Sequence, residues 1–236
     1  MKVTYERLAG LSTLRVSSGA VSSLTVVALH GHAMQPADLA PFAQSIGIGA
    51  EFYFPEGPIA ARPSGRSWWP LIEEARASAI AAGPRDLYDE HPAGARAARE
   101  YLSEFVGSIE SHRGGRPLVL LGFSQGGMLA CDAFLRGDVR ADALVVLSSS
   151  RISADDWQPL ANRLRGLPVL VSHGRTDPDL SFQAGEALRD FCLDAGADVT
   201  WVPFDGPHEI PLLVWRRIRK FLGALAGRTG AGASDG

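Results

Sequence analysis

The chain has 236 residues, with 23 Lys and Arg against 26 Asp and Glu and a formal net charge of -3. A field of that size and sign does not hold a phosphate backbone, so nucleic acid is excluded as a partner. Hydrophobic residues make up 46% and charged residues 21%, and Gly (26) and Pro (15) together stay below the ~25–30% of low-complexity chains, which excludes wholesale disorder.

In chain order, residues 3–16 alternate well enough for one or two antiparallel strands. Apolar and β-branched runs then predict strands over 24–30, 51–54, 117–122, 143–147, 169–172 and 199–204. Helical patterns fall between them, over 36–46, 92–111, 125–135, 182–195 and 212–225, the first opening on Pro36. Strands that alternate with crossover helices imply an α/β fold, a mostly parallel, doubly wound sheet with helices on both faces. Residues 1–226 are expected to form one domain. Between 57 and 91 the chain carries Pro58, Pro63, Pro70, Gly83 and Pro84 with Trp68 and Trp69 among them, which reads as an irregular excursion holding at most one short helix. The small, glycine-rich stretch 227–236 has nothing to bury and is expected to be disordered.

Lys2, Glu6 and Arg7 interrupt any apolar leader, and no run reaches the ~18 apolar residues of a membrane span, so a cytoplasmic protein without stable membrane insertion is expected. Cys131 and Cys192 make at most one bridge and are read as free thiols of a reducing compartment. Monomer and homodimer both remain open.

The strongest chemical signal is Gly122-Phe123-Ser124-Gln125-Gly126-Gly127, placed where an apolar strand gives way to a helix. This G-x-S-x-G pattern is that of a nucleophile elbow, in which a sharp strained turn exposes the serine hydroxyl and flanking glycines spare neighbouring backbone a collision. A serine alone is a poor nucleophile and needs a histidine base and an acid to orient it, in the chain order Ser, Asp or Glu, His. Asp177 follows the strand at 169–172, with Asp179 as a rival acid, and His208 follows the strand at 199–204. All three lie at C-terminal strand ends, where open α/β sheets build their sites. The oxyanion formed on attack needs two donors, expected from the backbone N–H of Gln125 and, after the first parallel strand, that of His32. The His30-x-His32 pair lacks further ligands at zinc-hydrolase spacing, so no metal is expected. Trp68 and Trp69 are either core or the wall of a substrate pocket. His91, His112 and His173 are read as structural.

These segments resemble the phospholipase/carboxylesterase family of the α/β-hydrolase superfamily, acyl-protein thioesterase-like esterases included. The resemblance rests on Leu29-His30-Gly31, on the six-residue elbow without a mismatch, on His173-Gly174-Arg175-Thr176-Asp177, and on His208-Glu209-Ile210-Pro211, with Phe54–Pro58 and Ser67-Trp68-Trp69 resembling the family's loop before the site. It implies a hydrolase without a large cap domain or a cofactor, acting on small carboxylic esters; the lack of a long inserted helical segment in the sequence points to short or medium acyl chains. A thioesterase, lysophospholipase or acyltransferase would use the same triad, and a non-catalytic binding module is the reading from another class. The chain differs from the family in having Pro178-Asp179 after the acid, Pro207 before the histidine, and His32-Ala33 after His-Gly.

Overall fold

The computed structural model describes residues 2–17, 22–61 and 64–231. Its strands are β1 (Lys2–Leu8), β2 (Leu11–Ser17), β3 (Leu24–Leu29), β4 (Ala50–Pro55), β5 (Ile59–Ala60), β6 (Arg66–Ser67), β7 (Leu118–Phe123), β8 (Ala143–Leu147), β9 (Pro168–Gly174) and β10 (Asp198–Phe204). Its α-helices are α1 (Pro36–Ser45), α2 (Glu73–Ala82), α3 (Ala95–Arg113), α4 (Gln125–Arg136), α5 (Ala154–Trp157), α6 (Phe182–Asp194) and α7 (Leu212–Ala231). Eight strands form one sheet in the order β1-β2-β4-β3-β7-β8-β9-β10. The pairs β1/β2 and β2/β4 are antiparallel and every later pair is parallel.

Strands β3, β4, β7, β8 and β9 are buried along their whole length, so their side chains divide between two cores by strand alternation, while the edge strand β10 is partly exposed. Leu118 and Leu120 of β7 face one core with Leu102, Phe105, Leu129 and Leu188, whereas Val119 and Leu121 face the other with Leu39, Val214 and Ile218. Helices α3, α4 and α6 therefore cover one face and α1 and α7 the other, as the doubly wound reading requires. Helix α3 shows why these segments coil: Ala95, Ala98, Leu102, Phe105 and Ile109 recur at helical spacing and are all buried, and Gly114 ends the helix in the left-handed region, its N–H donating to Glu110 O. Burying side chains the size of Leu102 or Ile109 is worth ~1.5–3 kcal/mol each.

Three local features depart from the sequence reading. Helix α7 continues to Ala231, so 227–231 are helical where composition predicts disorder, and 232–236 lie outside the described residues. A short helix, α5, and a 3₁₀ segment over Gln158–Leu164 fill the connection after β8. Among the described residues the excursion after β4 holds one helix, α2, within the expectation of at most one and with no buried residue, and departs from the irregular reading in the hairpin β5–β6. No helix among the described residues is long and apolar enough to cross a membrane.

Candidate active site

Ser124 stands between β7 and α4 with φ 52° and ψ -118°, a conformation that L-residues adopt only under strain of ~1–3 kcal/mol. Neighbouring groups hold it there: its N–H donates to Leu147 O at 2.8 Å, and Ser149 Oγ donates to its carbonyl at 2.9 Å. The flanking glycines are required by close approach. A Cβ on Gly122 would sit 2.3 Å from the Gly126 carbonyl carbon, and one on Gly126 would sit 2.3 Å from Leu29 O.

Asp177, past the end of β9, is buried and fully engaged. Its Oδ1 accepts the N–H groups of Asp179 at 2.9 Å and Leu180 at 3.0 Å, and its Oδ2 accepts from His208 Nδ1 at 2.6 Å. Because Nδ1 carries that proton, Nε2 of a neutral His208 is left as the basic atom. The His208 ring packs against Phe123, centroids 4.8 Å apart, and lines a cavity together with Ser124. Gly174 lets the two loops meet, since a Cβ there would lie 2.3 Å from Pro207 O. His173, read from the sequence as structural, is wholly buried beneath the acid, its Nε2 3.0 Å from Leu180 O and 3.4 Å from Asp177 Oδ2.

Burial pushes the Asp177 carboxyl up, but hydrogen bonds from His173 and His208, the charge of His208 and the Leu180 N–H outweigh it and hold the group far below the usual carboxylate range. Asp179, the rival acid, is committed elsewhere: its two oxygens carry Arg85 Nη2 and Arg76 Nη2. Burial raises its pKa, while the Arg85 hydrogen bond and the charges of Arg76 and Arg85 lower it further, so it too lies below the ordinary value. A depressed native pKa stabilises the fold above the unfolded value of ~3.9, and that contribution is lost as pH falls through the native value. The stability gap between the wild type and Asp179→Asn in urea titrations is therefore expected to be constant from pH 7 to 5 and to narrow below pH 4. A gap that widened in acid would contradict this charge assignment.

Gln125 opens α4, and His32 follows β3. Among the described residues neither backbone N–H has a protein acceptor, and both residues line the cavity at Ser124. Their side chains fasten the excursion to the sheet. Gln125 Oε1 accepts from Trp68 N at 2.9 Å and Ser67 Oγ at 3.0 Å, and its Nε2 donates to Trp69 O at 3.1 Å. His32 Nδ1 lies 2.7 Å from Ser67 Oγ, and its Nε2 pairs with Glu73 at the start of α2. His30 is buried and held neutral by that burial, with Nδ1–H on Gly31 O at 2.7 Å and Nε2 accepting from Gly57 N at 2.9 Å. Both ring nitrogens of both histidines are thus used by protein groups.

Trp68 and Trp69 divide between their two readings. Both are buried in one core; Trp69 also lines the cavity, whereas Trp68 does not and has its indole N–H on His30 O at 2.8 Å. The glutamate and arginines of the excursion, Glu73, Arg76 and Arg85, were not singled out by the sequence reading, because no periodicity or motif marks them.

A strained serine, with a histidine–aspartate pair at neighbouring ends of a doubly wound sheet, defines the α/β-hydrolase class. The chain belongs to the phospholipase/carboxylesterase family, whose model matches residues 86–226. Acyl-protein thioesterase 1 of Gibberella zeae is 28% identical over 125 residues, covering 51% of this chain and 53% of the relative, so the alignment spans about half the length of that protein. Among solved structures, esterase PE8 is 24% identical, covers 95% of this chain and 100% of its own, and superposes with a TM-score of 0.74. A carboxylesterase from Mesorhizobium loti is 18% identical, covers 94% and 99%, and has a TM-score of 0.75. At these identities the structural likeness concerns the fold.

Proposed function

We propose that the protein is a serine hydrolase of small carboxylic esters. The observation that carries this reading is the His208–Asp177 pair facing the cavity in which Ser124 stands strained at the elbow. Ser124 Oγ attacks the ester carbonyl as its proton passes to His208 Nε2, and Asp177 holds the imidazolium through Nδ1–H. The Gln125 and His32 amides bind the oxyanion. The alkoxide then leaves with the proton from His208, and water, deprotonated by the same nitrogen, releases the acid from the acyl-serine. A cavity of about 510 Å³, walled in part by Trp69, Ile72, Met128 and Leu180, suits a short to medium acyl chain.

A fluorophosphonate tests the reading, since it phosphonylates only an activated serine. A single adduct on the Ser124 peptide is expected by mass spectrometry. An unlabelled protein would favour a binding module instead. A thioester reading has one observation in its favour, the name of the Gibberella relative. The same triad would serve it, and paired oxygen and sulfur esters of one acyl group decide by their kcat/KM ratio. The buried free thiols Cys131 and Cys192 fit a cytoplasmic location.

A further inference from the structure

Two cavities of about 510 and 360 Å³ meet at Ser124, and the residues common to both walls are His32, Ser124 and Arg76. His208 lines only the smaller one. The leaving oxygen takes its proton from that histidine, so the alcohol half of an ester lies in the smaller cavity and the acyl half in the larger, more apolar one. Arg76 stands where the two halves join.

The charges at that junction do not balance. Asp179 is one carboxylate, and it serves two guanidiniums, Arg76 on Oδ2 and Arg85 on Oδ1. Arg85 is further fixed by its backbone, which exchanges hydrogen bonds with Asp179 O at 2.9 Å and Ser181 N at 2.8 Å. All three residues line the acyl cavity, and within this trio one guanidinium has no carboxylate of its own, although Asp86 and Glu90 line the same cavity. Arg76 spends one nitrogen on Asp179, and among the described residues its Nε and Nη1 have no acceptor. The acidic side chains on the same walls, Asp86 and Glu90 in one cavity and Asp38 and Glu209 in the other, make no ion pair with it; Asp86 accepts from Ser150 Oγ, and Asp38 accepts from Gln35 N. Nε and Nη1 are not parallel donors to each other, but the second N–H of Nη2 runs parallel to an N–H of one of them, so one two-point fork stays open for a carboxylate.

We propose that Arg76 is a specificity residue that binds a carboxylate on the acyl half of the substrate, so that the protein prefers half-esters of short dicarboxylic acids over neutral esters of the same length. This rests on the hydrolase reading above.

The test uses the full chain and three esters: monoethyl succinate, with the anion on the acyl side; ethyl butanoate, neutral; and the butanoyl ester of 3-hydroxypropanoate, with the anion on the alcohol side. Intrinsic reactivity cancels when kcat/KM ratios are compared between variants. The succinate-to-butanoate ratio is expected to fall ~10-fold or more in Arg76→Ala, the size of a charge-assisted hydrogen bond, and to recover in part in Arg76→Lys. In the wild type the same ratio should shrink as salt is added, which a purely structural role for Arg76 would not produce. A ratio unaltered by Arg76→Ala, or a loss that follows the alcohol-side anion, overturns the proposal. Turnover of ethyl butanoate separates the two readings. With Ser124-dependent turnover but no charge preference, only the Arg76 assignment falls; with no turnover and no fluorophosphonate adduct, the hydrolase reading falls first.

Discussion

Ser124→Ala is expected to lower kcat/KM for an activated short-chain ester by ~10³-fold or more, a loss of transition-state stabilisation of about 4 kcal/mol. Alanine keeps the Cβ and the backbone bonds to Leu147 and Ser149, so the elbow stays in place and the change is confined to the nucleophile. Activity above the uncatalysed rate should persist if, as proposed, the Gln125 and His32 amides remain to polarise a carbonyl for direct attack by water. Steady-state rates, with a melting curve to confirm the fold, decide the point. A variant within tenfold of the wild type would place the chemistry on another group.

Asp177→Asn should cost ~10³–10⁴-fold, and Asp179→Asn far less. Asparagine at 177 fills the same space but removes the charge beside a histidine that, on the proposed mechanism, turns cationic in each half-reaction, and it no longer compels a proton onto Nδ1. The two substitutions lie two residues apart on one loop, so a general loosening of that loop would lower both rates alike. The geometry sets them apart: His208 is bonded to Asp177, and the Asp179 oxygens are held by Arg76 and Arg85. A larger loss for Asp179→Asn would reverse the assignment of the acid.

The proposed reacting groups could be picked out in the sequence because each sits in a short local pattern at a strand end. Gly122 to Gly127 encode the elbow through backbone clearance alone, and the spacing from His173 to Asp177 encodes a turn. What depends on distant partners was not legible. Whether Asp177 or Asp179 faces His208 is decided by arginines some hundred positions earlier in the chain, Arg76 and Arg85. Trp68 and Trp69 are identical in type and adjacent, yet one packs on His30 and the other on the cavity, a division made by strand β6 leading into them and by Gln125 fixing their backbone. Helix α5 is only four residues long, too short for periodicity to show.

The lack of any buried residue in α2 separates what the protein recognises from what keeps it folded. Ala75, Ala79 and the preceding Ile72 border the larger cavity beside Ser124, proposed to take the acyl half, but none contributes to either core. Enlarging or trimming these side chains reshapes the cavity without overpacking the interior or leaving a void in it, the two commonest costs of changing a core residue. On the proposed function, new acyl preferences are therefore open to this scaffold through single substitutions in one surface helix, while the strained serine and its supporting strands stay under their own, separate constraints.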